Sequence, residues 1–200
     1  IGADNAFCFD ISAACSGFVY ALNIVTQYIE NRSIKRAIIV CSEVLSKLVD
    51  YTDRSTCVIF GDGAAAVVVE ASEKGGVLAN YIASEGKGAH LGAVRAIDVV
   101  TPFTENAKEL IPNLKAHYLY MDGKEIYKFA VRAIPVAIEA VLEKSNLNIS
   151  DIKYVIPHQA NKRIIDYVAE KFEIDNEKVI INIDKYGNTS SVSIPLCIDE

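Results

Sequence analysis

The stretch DISAACSGFVYAL, residues 10–22, places Cys15 where a strand-like segment gives way to an apolar helix. Backbone N–H groups in the first turn of a helix lack intrahelical partners, and the helix dipole is positive there. Both effects favour a thiolate, so we expect the pKa of Cys15 to lie below its reference value of about 8.5. Cys15 is therefore a candidate nucleophile. The alternative is a buried structural cysteine in a turn of small residues.

Two further polar residues follow strand-like runs near the end of the sequence. His158 comes after YVIP, and Asn188 comes after VIINIDKYG. In α/β proteins, ligands bind at the carboxyl ends of strands, where loops converge over the edge of the sheet. We therefore expect Cys15, His158 and Asn188 to converge on one site. Taken alone, His158 could be structural, and Asn188 could be a left-handed turn residue beside Gly187.

Five segments, taken in order, carry a resemblance to a known family: DISAACSGF, TDRSTCVIFGDGAAAVV, YMDGKEIYKFAV, PHQANKRI and YGNTSSVSIP. They resemble the β-ketoacyl-[acyl-carrier-protein] synthase III family of thiolase-like condensing enzymes. The resemblance implies an α/β, thiolase-like layered fold (αβαβα) of two similar halves with central buried helices. Asn188 in the third role argues against elongating ketosynthases, which use Cys-His-His, and against thiolases, which use Cys-His-Cys.

An irregular stretch over residues 84–119, interrupted by glycines and prolines, separates two runs of strand and helix signals, and the resemblance implies that these runs are two similar halves. Residues 1–110 form the C-terminal part of the first thiolase-like half, with the nucleophile, and residues 111–200 form most of the second half, with His158 and Asn188. The resemblance implies that the first half is incomplete and that the family's last strands and glycine-rich loop are also absent. Helices are predicted over residues 16–29, 124–144 and 161–172. Strands are predicted over residues 6–11, 37–41, 57–60, 65–70, 77–83, 153–156 and 179–183.

Composition limits the class of protein. With 200 residues, 51% of them hydrophobic, the chain can bury a sizeable core. Its formal net charge of -6 argues against a nucleic-acid partner, which requires a basic surface. Membrane insertion is not expected, because no run of 18 uncharged apolar residues occurs. Five cysteines without a CxxC motif are typical of reduced thiols in a cytoplasmic protein, so neither disulfides nor a metal site is expected.

The resemblance implies a decarboxylative Claisen condensation that initiates fatty acid biosynthesis. Cys15 takes the acyl group of an acyl-CoA primer, expected to be acetyl-CoA, and malonyl-acyl carrier protein supplies a carbanion as it loses CO2. His158, neutral and protonated on Nε2, and Asn188 donate hydrogen bonds to the enolate oxygen, and the backbone N–H of Cys15 meets the oxyanion at the acyl carbonyl. No cofactor is implied beyond the CoA thioester and the phosphopantetheine of the carrier.

Substrate contacts are implied residue by residue. Arg54 matches an arginine that lies against the adenine of CoA, where a planar guanidinium can stack and also meet phosphate. The alternative for Arg54 is an exposed loop cation. Gly123 and Tyr127 match positions that line the pantetheine tunnel, and Asn161 matches a position beside the thiol end of that arm.

Three basic residues, Lys128, Arg163 and Lys171, match positions at which the family docks its acidic carrier protein. Such charge complementarity mainly raises the association rate and orients docking, although a row of charges can also be just a solvated face. The resemblance further implies a homodimer. Two rival functions remain open: a related condensing enzyme that makes a ketone or polyketide-like product from CoA substrates, and a non-catalytic fragment for dimerisation or carrier binding.

Overall fold

The computed structural model describes residues 2–94 and 118–200, which form an α/β arrangement of helices and short antiparallel sheets. The strands are β1 (Arg36–Glu43), β2 (Gly63–Glu70), β3 (Gly92–Val94) and β4 (Leu119–Met121). The helices are α1 (Gly17–Glu30), α2 (Gly123–Ser145), α3 (Lys162–Lys171), α4 (Ile183–Tyr186) and α5 (Ser193–Asp199). β1 pairs with β2, and β3 pairs with β4.

The first core lies between α1 and the β1–β2 pair. The two strands run antiparallel in a register that starts with Arg36 opposite Glu70. Successive side chains of a strand point to opposite faces of the sheet, and in β1 this places Ile39 and Cys41 on the buried face. Phe18 of α1 packs against them, and Val192 completes the cluster. A residue from the end of the chain is therefore part of the core around the first helix.

The second core is built on α3. This helix buries one apolar stripe, Ile164, Ile165, Val168 and Ala169, as its spacing of three and four residues dictates. Ile165 and Ala169 pack against Val179, which follows in the chain. The longer helix α2 contacts α3 and is capped by Asp122, whose carboxylate accepts a hydrogen bond from the backbone N–H of Glu125 at 3.1 Å.

The structure agrees with the predicted helices to within one or two residues at each end, and it confirms strands at 37–41 and 65–70 as parts of β1 and β2. The predicted strands at 6–11, 57–60, 77–83, 153–156 and 179–183 are wrong, because none of these segments has a paired neighbour along its length among the described residues. Two of the contacts they do make are isolated bridges, Phe60 with Asn188 and Val155 with Val179. The predicted boundary at residue 110 falls outside the described residues.

Three further findings concern membrane-spanning helices, metal sites and disulfides. None of the helices in residues 2–94 and 118–200 combines the length and the apolar character needed to cross a membrane. Within the same residues, no cluster of three or more histidine, cysteine or acidic side chains could hold a metal ion. All five cysteines are free thiols.

Candidate active site

Cys15 lies in a single 3-10 turn, Ala14–Ser16, that leads directly into α1. The hydroxyl of Ser16 donates to the carbonyl of Ala13 at 2.7 Å, and Ala14 has a φ of 45°. A positive φ at a residue other than glycine is strained and persists only where the surroundings hold it, which is most often at functional sites. The turn packs against the 3-10 turn Ser190–Val192. The thiol is therefore held at a fixed place between distant parts of the chain.

Burial raises the pKa of the Cys15 thiol above its ordinary value. A hydrogen bond with Ser190 works in the opposite direction, while the nearby carboxylate of Glu43 raises the pKa further. The prediction that the helix start lowers the pKa of Cys15 is therefore wrong. The reason is that loss of water outweighs the hydrogen bonds that favour the thiolate, and α1 begins only at Gly17. Cys15 is therefore a neutral thiol at pH 7, and any attack by its Sγ requires loss of the thiol proton.

His158 follows the bridge at Val155 and precedes α3. Its Nδ1 lies 2.6 Å from the hydroxyl oxygen of Ser193. Burial lowers the pKa of His158 from 6.5 to about 4, because the cation loses its hydration. The imidazole is therefore neutral at physiological pH, as the resemblance implied, and among the described residues no hydrogen bond of its Nε2 is found.

Gln159 is fully buried and joins the His158 loop to the segment that leads to Asn188. Its side chain uses its full polar capacity on main-chain groups. Sequence reasoning missed this role, because a glutamine in a loop carries no signal of burial. Its partners are the carbonyls of Pro157 (2.9 Å) and Ile180 (3.2 Å) and the N–H groups of Asn182 (3.0 Å) and Ile183 (3.2 Å).

Asn188 is held by main-chain hydrogen bonds on both sides. Its N–H donates to the carbonyl of Ile59 at 2.9 Å, and its carbonyl accepts from the N–H of Gly61 at 3.0 Å. Its side-chain oxygen accepts from the N–H of Ser190 at 2.9 Å, so the NH2 group is the part that can donate to a ligand. Gly187 takes the positive φ of 68° at this turn. Asn188 is therefore not the left-handed residue.

The segment 188–193 is the common support of the three candidate residues. It begins with Asn188 itself, contacts Cys15 through Ser190, and reaches His158 through Ser193. The hydroxyl of Ser191 donates to the carboxylate of Glu43 at 2.7 Å, which fastens the segment to the end of β1. Cys15 and His158 thus each contact the segment that begins with Asn188. The serines of this run were not recognised as site residues from the sequence.

The positions proposed to contact substrate lie on separate elements. Arg54 is exposed in a turn between β1 and β2. Gly123 is the first residue of α2, and Tyr127 lies one turn further on and is half-buried. Asn161 caps α3, and its side-chain oxygen accepts from the N–H of Arg163 at 2.9 Å. Its capping role is a structural reason for asparagine at this position.

The three proposed docking residues are all exposed. Lys128 lies on α2 and forms an ion pair with Glu125 at 2.6 Å. Arg163 and Lys171 lie in the first turn and at the end of α3, respectively. Exposed ion pairs contribute little to stability, so Lys128 can exchange its partner at small cost.

Comparison with known proteins shows which proteins have a similar sequence and fold. The chain is 48% identical to the β-ketoacyl-[acyl-carrier-protein] synthase III of Clostridium tetani, over all of this chain and 61% of that protein. A crystal structure of 3-oxoacyl-[acyl-carrier-protein] synthase III from Aquifex aeolicus superposes with a TM-score of 0.85 at 43% identity, covering 98% of this chain and 58% of that one. A crystal structure of the priming β-ketosynthase from the R1128 polyketide pathway superposes with a TM-score of 0.84 at 33% identity. The match covers 99% of this chain and 57% of that one.

These similarities define the fold as that of the thiolase-like class. The family description "3-Oxoacyl-[acyl-carrier-protein (ACP)] synthase III" matches residues 9–86, and the description of its C-terminal part matches residues 142–200. The chain belongs to the 3-oxoacyl-[acyl-carrier-protein] synthase III family. It spans about three fifths of the length of the curated relatives it matches.

Proposed function

We propose that the protein condenses an acyl-CoA primer, expected to be acetyl-CoA, with malonyl-acyl carrier protein and so initiates fatty acid biosynthesis. The observation that carries the proposal is that one segment, 188–193, supports a thiol, a neutral imidazole and an amide NH2 group. These three groups are the ones that the two half-reactions need. Membership of the family and the similarity to β-ketoacyl-[acyl-carrier-protein] synthase III proteins support the same reaction.

In the first half-reaction, Sγ of Cys15 attacks the carbonyl carbon of the CoA thioester. The bond from that carbon to the CoA sulfur breaks as the bond to Sγ forms, and the thiol proton ends on the leaving CoA. Because burial keeps Cys15 protonated, loss of this proton accompanies the attack. The products are acyl-Cys15 and CoA-SH.

In the second half-reaction, malonyl-acyl carrier protein loses CO2, and the electron pair left behind is shared with the thioester oxygen as an enolate. His158 and Asn188 donate hydrogen bonds to that oxygen, and these bonds strengthen as its charge grows. His158 remains a neutral donor, since its pKa is about 4. The enolate carbon then attacks the acyl-Cys15 carbonyl, whose oxyanion meets the backbone N–H of Cys15. The Cys15 thiolate leaves, and the β-ketoacyl chain remains on the carrier.

Substrate and partner contacts form the second part of the proposal. We assign Arg54 to the adenine of CoA, against which its planar guanidinium lies. Gly123 and Tyr127 are assigned to the pantetheine arm, and Asn161 is assigned to a position beside the thiol end of that arm. The acidic carrier protein docks on exposed basic side chains at Lys128, Arg163 and Lys171. We expect a homodimer in the cytoplasm, with no cofactor other than the two thioester substrates.

Acylation of the thiol is the first test. The protein is incubated with radiolabelled acetyl-CoA, and bound label is measured by autoradiography and by intact mass. We expect stoichiometric label that is lost in Cys15→Ala and kept in Cys57→Ala, a matched variant at another half-buried thiol. Absence of label in the unaltered protein contradicts the proposal and leaves a non-catalytic role in dimerisation or carrier binding.

A second candidate function is a related condensing enzyme that extends with CoA substrates and releases a ketone or polyketide-like product. The similarity to the priming β-ketosynthase of a polyketide pathway favours considering it. The acylated protein is therefore mixed with malonyl-acyl carrier protein or with malonyl-CoA. Release of label onto the carrier supports initiation of fatty acid synthesis, whereas turnover with malonyl-CoA alone supports the second function.

A further inference from the structure

Ser193 connects the imidazole of His158 to the main chain. It is the first residue of α5, and its side chain is almost completely buried, with 1% of the residue exposed. Its hydroxyl oxygen lies 2.6 Å from Nδ1 of His158 and 3.3 Å from the backbone nitrogen of Gln159. These are two polar contacts for a group that has one proton and two lone pairs.

The backbone nitrogen of Gln159 fixes the direction of these hydrogen bonds. An amide N–H can only donate, so the oxygen of Ser193 is the acceptor in that contact. If Nδ1 of His158 also carried a proton, the oxygen would accept twice, and the buried hydroxyl proton would need another acceptor. Among the described residues no third hydrogen bond of this hydroxyl is found, and a buried donor without an acceptor is costly. The satisfied arrangement has Ser193 donating to Nδ1.

The surroundings hold this chain of hydrogen bonds in one direction. The side chain of Gln159 is bound to four main-chain groups, so the neighbouring N–H that meets Ser193 has little freedom to turn away. Burial keeps the imidazole neutral, so His158 carries one ring proton. With Nδ1 occupied as an acceptor, that proton lies on Nε2.

We propose that Ser193 is a positioning residue that holds His158 in the tautomer protonated on Nε2 and so makes it a hydrogen-bond donor. The consequence for the reaction rests on the function proposed above, because it is the enolate oxygen that requires a donor at this place. The tautomer itself does not depend on that function. Ser193 acts only through His158 and does not touch substrate.

The tautomer can be observed directly by NMR of protein labelled with 15N-histidine. The chain has three histidines, and the signals of His158 are assigned by their loss in His158→Gln. At pH 7 we expect Nε2 protonated and Nδ1 bare in the unaltered protein. A spectrum with the proton on Nδ1 overturns the proposal without any substitution at Ser193, so the test remains decisive even if a variant fails to fold.

The Ser193→Ala variant tests whether Ser193 is the cause of the tautomer of His158. We expect the ratio of the two tautomers to shift by about two- to twelvefold towards the Nδ1-protonated form, the range set by the loss of one hydrogen bond. Ser145→Ala is the matched control, because it removes a partly buried serine hydroxyl on α2 that donates to the nearby carbonyls of Val141 and Leu142. An unchanged ratio in a folded Ser193→Ala protein overturns the proposal.

An activity measurement separates this inference from the proposed function. In Ser193→Ala, we expect kcat for condensation to fall by about two- to twelvefold with little change in KM for malonyl-acyl carrier protein. Ser193→Cys, which restores a weak donor of similar size, should recover part of the loss. If the unaltered protein shows no condensation but Ser193→Ala shifts the tautomer, the function fails and the role of Ser193 stands. A shifted tautomer with unchanged kcat contradicts the catalytic consequence.

Discussion

Acid should destabilise the protein through His158. The structure lowers the pKa of this residue from 6.5 to about 4. Below pH 6.5, His158 of the unfolded chain therefore binds a proton that His158 of the folded chain does not bind. The contribution of His158 to the free energy of unfolding is fully present above pH 6.5 and is lost as the pH falls towards 4. At about 1.36 kcal/mol per pH unit, the loss is about 1.4 kcal/mol at pH 5.5 and about 3 kcal/mol at pH 4.

Urea unfolding at a series of pH values measures this effect. The free energy of unfolding is compared between the unaltered protein and His158→Gln, so the contributions of the other titrating groups, which the two proteins share, cancel. We expect the difference between the two proteins to change by about 3 kcal/mol from pH 7 to pH 4. The exposed His90 provides the control, and His90→Gln should follow the unaltered protein. Parallel curves for the unaltered protein and His158→Gln would refute the burial argument.

Three further predictions address the site and the surface. Asn188→Asp replaces the donor with a carboxylate and should lower the rate of decarboxylation by roughly 10² to 10³, measured as CO2 release; an unchanged rate excludes the donor role. Gly61→Ala drives a Cβ into the carbonyl oxygen of Tyr186 and should lower the melting temperature, whereas Gly86→Ala, where the Cβ meets open space, should not; equal effects would contradict the close packing. Arg163→Glu should lower kcat/KM for malonyl-acyl carrier protein but not for acetyl-CoA, with the loss greatest at low salt. Equal loss for both substrates rejects docking there.

The parts of the fold that were predictable are those that depend on local sequence. The spacing of apolar residues in 124–144 indicated a helix that the structure contains as α2, because a helix closes its own hydrogen bonds. The alternation at 6–11 did not make a strand, since a strand depends on a partner elsewhere in the chain. There Phe7 stacks on Phe9 and tilts against Tyr28 of α1. In this segment, contacts between aromatic side chains are present instead of a ladder of backbone hydrogen bonds between strands.

The sequence led to a prediction of three principal site residues, and it carried no information on their setting. The position of Cys15 before a helix was read correctly, but the direction of its pKa shift was not, because burial depends on distant segments such as Ser190–Val192. Ser193 and Gln159 escaped notice for the same reason. A hydroxyl or an amide gains its role from the group that it meets, and their partners come from other loops.

The main-chain clamp around Asn188 has a consequence for the order of folding. Its partners, Ile59 and Gly61, are separated from it by most of the chain, so closing this contact carries the entropy cost of a long loop. Contacts of this kind slow folding relative to local helices. The helical signal in circular dichroism should therefore recover before the thiol of Cys15 regains its reactivity towards acetyl-CoA. Under the proposed function, acylation thus reports whether a refolded molecule has formed its long-range contacts.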